Sequence, residues 1–167
     1  KTRLFFEDRE TFMEQLEQDI NLGIRQAARL GLTPVFRLNG TSDLSWEKYT
    51  CKGSDRNIFE MFDYVQFYDY TKVLGRKVAK YKNYHLTFSA AESNHVDVVN
   101  AIAQNMNVAM VFDQIPAEYM GKTVFNADDT DLRFLDPKGV ICGLKAKGRA
   151  KKDTSGFVRR VIDIKAV

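Results

Sequence analysis

Five short runs rich in apolar and aromatic residues, at 35–38, 65–68, 84–88, 107–112 and 140–144, are separated by stretches of helical period. This alternation constrains the fold more than any other feature. Between strand-like runs, Phe12, Leu16, Ile20, Ile24 and Ala27 recur on one face and predict a helix over 8–30, with Gly31 as its stop. A shorter helix is predicted over 57–62, an ambiguous one over 71–81, and a firmer one over 95–105, where Ser93 or Asn94 is placed to cap and Val98, Val99, Ile102 and Met106 form the apolar face. Strands that alternate with helices imply right-handed βα units and a mostly parallel sheet. The predicted class is therefore α/β: a mostly parallel sheet or a partial (β/α) barrel, because 167 residues fall short of the ~250 of a complete one. The last two β-like runs, 140–147 and 157–164, flank a polar loop bounded by Gly148 and Gly156 and read as a basic C-terminal β-hairpin. No linker or repeat interrupts the chain, so one domain over 1–167 is expected. The first residue is Lys1, which suggests a fragment lacking an upstream segment.

The first four strand-like runs end in polar clusters. They are Asn39-Gly40-Thr41-Ser42-Asp43, Asp69-Tyr70-Thr71-Lys72, Ser89-Ala90-Ala91-Glu92-Ser93-Asn94 and Asp113-Gln114. Polar strand ends are ordinary, because helices need caps and loops need water. Their recurrence matters because parallel α/β sheets bind ligands at the carboxyl ends of their strands. Asp43, Asp69 and Glu92 are the candidate acid/base groups. Asn39, Gly40, Thr41, Ser42, Lys72 and Ser89 are candidate ligand-binding positions: hydroxyls and amides donate to an anion, Lys72 neutralises a phosphate, and Gly40 lets backbone approach closely.

Charge is unevenly distributed. From Lys138 onward nine Lys or Arg face only Asp153 and Asp163, a local +7 in a chain of net charge +3, so the other residues carry −4. Lys145, Lys147, Arg149, Lys151 and Lys152, with Arg159 and Arg160 beyond them, are the candidate phosphate or nucleic-acid contacts. Other chemistry is poorly supported. Cys51 and Cys142 are isolated and make neither a disulfide framework nor a metal site. His85 lies in an apolar run and reads as a core histidine, and His95 opens a helix. Asp128-Asp129-Thr130-Asp131 lacks the glycine and distal Glu of a calcium loop. Trp46 and Tyr49 read as aromatic core. No run approaches the ~20 apolar residues of a membrane span, no signal peptide opens the chain, and a cytoplasmic setting is expected.

The blocks "PVFRLNGTSDLSWE", "VQFYDYTK", "NYHLTFSAAES" and "GLKAKGRAKKDTSGFV", in that order, resemble a poorly characterised family from phages, plasmids and bacteria, named mostly by a phage gene-product number. The resemblance covers nearly the whole chain. Members often carry a cysteine-rich segment upstream of the first helix, loosely similar to the cluster-binding loop of radical S-adenosylmethionine enzymes. The strand order resembles the later part of such a partial barrel, which would set Asn39-Gly40-Thr41-Ser42-Asp43 at a strand end facing a cofactor. This chain has no such cysteines, and its residues specify no cofactor and no metal.

Three functions follow as expectations. The first is a phosphate-bearing ligand, nucleotide or nucleic acid, bound at the strand ends, with its reaction undefined. The second is a non-catalytic nucleic-acid binder that needs only the basic tail. The third is a phage protein that docks on a host protein.

Overall fold

The computed structural model describes residues 2–161, and the side chains from Arg3 onward. The expected 162–164 portion of the final β-like run lies outside the described residues. The helices are α1 (Thr2–Glu7), α2 (Arg9–Arg29), α3 (Ile58–Met61) and α4 (His95–Ala103). The strands are β1 (Val35–Phe36), β2 (Gln66–Thr71), β3 (Tyr84–Ser89), β4 (Val108–Phe112), β5 (Glu118–Tyr119), β6 (Lys122–Asn126), β7 (Ile141–Lys145) and β8 (Val158–Arg159). They form a mostly parallel, open sheet in the order β1-β2-β3-β4-β7-β6-β5, with β8 on β4. The sheet is thus α/β and does not close into a barrel. The chain divides into two compact units.

The first unit holds the residues up to Tyr68 together with Arg76–His85. Asp8 separates α1 from α2 and caps α2, its carboxylate accepting from the Thr11 N–H at 3.0 Å. The other end of α2 closes as the sequence predicts. Gly31 takes φ +65°, and the Gly31 and Leu32 N–H groups return to the carbonyls of Ala28 and Ala27. These two bonds satisfy the last carbonyls of the helix. α3 begins with a capping box: Asn57 accepts from Phe59 and Glu60 N–H, and Glu60 accepts from Asn57 N–H. β1 pairs with β2 in parallel, Phe36 opposite Phe67. Phe59 anchors the core, stacked on Tyr84 at 4.0 Å and edge-on to Phe67 at 5.3 Å.

The second unit holds Asp69–Gly75 and the described residues from Leu86 onward. β4 is its central strand. α4 covers one face, where Val98 and Ala101 pack with Phe88, Val108, Met110, Phe112 and Ile141, all nearly or fully buried. Each such large side chain contributes about 1.5–3 kcal/mol by leaving water. The other face carries Ala109, Ala127, Val140 and Cys142. β7 pairs along the whole of β4. β3 and β8 share its opposite side, β3 at Val108 and Ala109 and β8 at Val111 and Phe112. The two runs read as a C-terminal hairpin are both strands joined by a polar connection, consistent with that reading, and among the described residues each pairs in parallel with β4, one on either side.

Two further features differ from the sequence reading. Residues 72–80 contain no helix: Gly75 takes φ +71°, and the Arg76 side chain is drawn inward by carboxylates. β5 and β6 form a hairpin closed by Met120 and Gly121, at φ +50° and +70°. Two successive positive φ values make the turn that matches strand twist.

Candidate functional site

The candidate residues fall in both units. In the first, Asn39 is buried, and its amide organises the loop that follows β1. Its Oδ1 accepts from Ser42 Oγ (2.9 Å), Leu44 N (3.0 Å) and Trp46 Nε1 (2.9 Å), while its Nδ2 donates to the Leu44 carbonyl (3.0 Å). Asn39 thus shapes the loop and holds the one tryptophan of the chain. Gly40, Thr41 and Ser42 are exposed on this loop. The Asp43 carboxylate lies 3.7 Å from Arg76 Nη1. Arg76 is also bidentate to Glu47, at 2.6 and 3.1 Å, and donates to Tyr84 Oη at 3.1 Å. Burial opposes charge on this guanidinium, yet the Glu47 hydrogen bonds and the Tyr84 oxygen hold its pKa above the ordinary value. Asp43 therefore belongs to a positioning cluster built around a buried arginine, which the periodicity of the sequence does not reveal. Trp46 is buried among Phe5, Phe12 and Tyr49, as aromatic core.

In the second unit Asp69 is completely buried. Thr71 accepts from the Val73 N–H and turns the chain after β2, leaving Lys72 exposed. After β3, Asn94 ties the loop: its Oδ1 accepts from Ala91 N at 2.7 Å and its Nδ2 donates to the Ser89 carbonyl at 3.0 Å. Ser89 is half-buried, and Glu92 and His95 are exposed. No group of three or more His, Cys, Asp or Glu among the described residues is arranged to hold a metal ion.

The basic segment lies on the connection from β7 to β8, whose middle is a 3-10 helix over Gly148–Lys152. Because β3, β4, β7 and β8 are parallel, this segment leaves β7 at the same edge where β3 and β4 end. It crosses from one neighbour of β4 to the other, roughly 10 Å at two strand spacings. Its seven cations divide into two groups. Arg159 and Arg160 hold the crossover down. Arg159 donates to the carbonyls of Gly156 and Ala91, and Arg160 to those of Asp153 (2.8 Å) and Lys151. Arg160 also lies 4.0 Å from Asp113, whose carboxylate accepts from Val161 N at 3.0 Å. Lys145, Lys147, Arg149, Lys151 and Lys152 face solvent. Among the described residues only Lys147 of these five has an ion-pair partner, Asp128 at 3.0 Å. Asp153 braces the return. It accepts from Ser155 Oγ and Val158 N, and these bonds lower its pKa.

Both cysteines are buried thiols. Burial, with Glu17 beside it, pushes Cys51 up to about 12. Burial and the hydrogen bond to Asp136 push Cys142 up to about 12. Neither is a nucleophile at neutral pH. No described helix is long and apolar enough to cross a membrane.

The family profile described as Gene product 88 matches residues 1–161. No curated protein and no solved structure matches the chain.

Proposed function

This chain belongs to the Gene product 88 family, and we propose that it binds nucleic acid through the basic crossover at the carboxyl edge of its second unit. One observation carries this reading. Five exposed cations lie within eight residues, four of them without an ion-pair partner among the described residues, on a segment fixed by its own arginines and by Asp153. A solvated lysine pays side-chain entropy to meet a phosphate, and a braced turn limits the accompanying backbone loss. The uncharged neighbours at the same edge, Ser89 above all, are proposed to donate to the same phosphates. The proposal assigns binding and no reaction.

The test is the salt dependence of affinity. Each phosphate contact adds a slope of about 0.9 for duplex and about 0.7 for single strands in log Kobs against log salt. The triple variant Arg149→Gln, Lys151→Gln, Lys152→Gln is expected to lower that slope by about 2–3. The control pair Lys77→Gln and Lys82→Gln, exposed in the first unit, should leave it unchanged. An unchanged slope in the triple variant, or equal loss in both sets, defeats the reading. So does displacement by polyphosphate at the same charge concentration as nucleic acid.

A further inference from the structure

A cavity of about 610 Å³ opens in the first unit between α1, α2 and the loop after β1. Five aromatic rings line it, those of Phe5, Phe6, Phe12, Phe36 and Trp46. The aromatic packing is made possible partly by Gly23 on α2, where a Cβ would sit 2.9 Å from the Phe36 ring. Its polar lining residues, Gln15, Asp19, Arg37, Thr41 and Ser42, are all exposed and so stand at the mouth. The wall nearest the strand is preformed, because the buried Asn39 amide pins both Leu44 and the Trp46 indole. None of the residues of the nucleic-acid proposal lines this cavity.

We propose that the cavity binds an uncharged planar aromatic or heteroaromatic small molecule, with its ring system against the aromatic walls and its hydrogen-bonding edge toward Thr41 and Ser42. Three properties select this class. The volume lies in the ~300–1,000 Å³ range of small-molecule sites. Aromatic walls favour a flat partner, because offset and edge-on ring contacts add about 0.5–1.5 kcal/mol beyond area burial. Charge is excluded by the lining. The interior has no ionised group to receive one, and the mouth carries one carboxylate, Asp19, against one guanidinium, Arg37. An ion that entered would lose its hydration without a net counter-charge.

The experiment uses N-phenylnaphthylamine, an uncharged dye that brightens in apolar sites and accepts energy from tryptophan. Trp46 is the sole tryptophan and lines the cavity, so transferred emission reports dye bound near it, and the blocking variants assign that dye to the cavity. Saturable binding with transfer from Trp46 is expected. The anionic analogue anilinonaphthalene sulfonate should bind at least about tenfold more weakly, about 1.4 kcal/mol. Gly40 lines the mouth with ordinary backbone, and a Cβ there meets nothing within 4 Å. Gly40→Leu should therefore keep the fold and lower dye affinity at least about tenfold. Thr41→Leu, also at the mouth, is the second blocking variant. Trp46→Phe should abolish transfer while directly excited dye emission remains. Dye affinity unchanged from wild type in both blocked variants, equal or tighter binding of the anion, or a signal that disappears on dilution to a monomer would each overturn the proposal; the last would make the cavity an interface between two copies.

Discussion

Replacing Asn39 by alanine tests whether one buried amide sets the geometry of the loop after β1. The substitution removes an acceptor shared by Ser42, Leu44 and Trp46, and a donor to the Leu44 carbonyl. Ser42 is exposed and recovers its hydrogen bond from water, so it contributes little to the loss. Trp46 is 3% exposed, and its indole N–H has no such recourse. A buried donor left unsatisfied costs about 1–3 kcal/mol, and the part-buried Leu44 bonds add roughly 0.5–1.5 kcal/mol net. The expected destabilisation of Asn39→Ala is about 2–4 kcal/mol. With a urea slope of roughly 2 kcal/mol per molar, that moves the midpoint down by about 1–2 M. Trp46→Phe keeps the aromatic body and deletes the donor, so Asn39→Ala should cost about 1–2 kcal/mol less in that background. Urea titration followed by far-ultraviolet circular dichroism reads all four proteins without relying on the tryptophan. A single-mutant cost below about 0.5 kcal/mol, or no coupling between the two positions, refutes the reasoning.

Arg76→Met should destabilise by about 3–5 kcal/mol, because it strands the Glu47 carboxylate in a buried site; adding Glu47→Gln should restore part of the loss, and equal midpoints for the single and double variants would contradict the pairing. Native protein at pH 8 should resist an aromatic disulfide reagent at both thiols and react fully in denaturant; fast native labelling of either would disprove their burial. Both folded thiols hold their protons above the ordinary 9.0, so their contribution to stability is complete below that pH and is lost as pH rises toward about 12. Thermal melts across that interval measure the decline. Gly143→Ala would place a Cβ 2.7 Å from Val124 and 3.0 Å from Ile115; overpacking of about 1–3 kcal/mol is expected in the urea midpoint, relieved in part by Val124→Ala.

The elements with a strong local pattern were legible in the sequence. The periodic stripe and the stopping Gly31 located α2 to within a residue at each end. The apolar runs located β2, β3, β4 and β7. What escaped were features decided by partners distant in sequence. The 71–81 stretch has helical composition in part, but Arg76 is claimed by Glu47, 29 residues away. β8 is legible as the strand that follows a polar connection, while its partner, at Val111 and Phe112, is set by the fold. The β5–β6 hairpin is closed by Met-Gly, which lacks the Asn or Asp that usually marks such a turn. At the site, residue type was readable and role was not. Asn39 reads in the sequence as a polar group at a strand end, and its hydrogen bonds with Ser42, Leu44 and Trp46 identify it as a brace. Arg159 and Arg160 contributed to the cationic signal, but they hold the crossover in place.

The two outermost strands, β1 and β5, are only two residues long. An open sheet ordinarily advertises a ladder of unsatisfied amides along each flank, and a stray chain can dock there and seed fibrils. Two residues offer too short a template for such recruitment. Substitutions that lengthen either flank should therefore be felt first as loss of colloidal stability, before any fall in melting temperature.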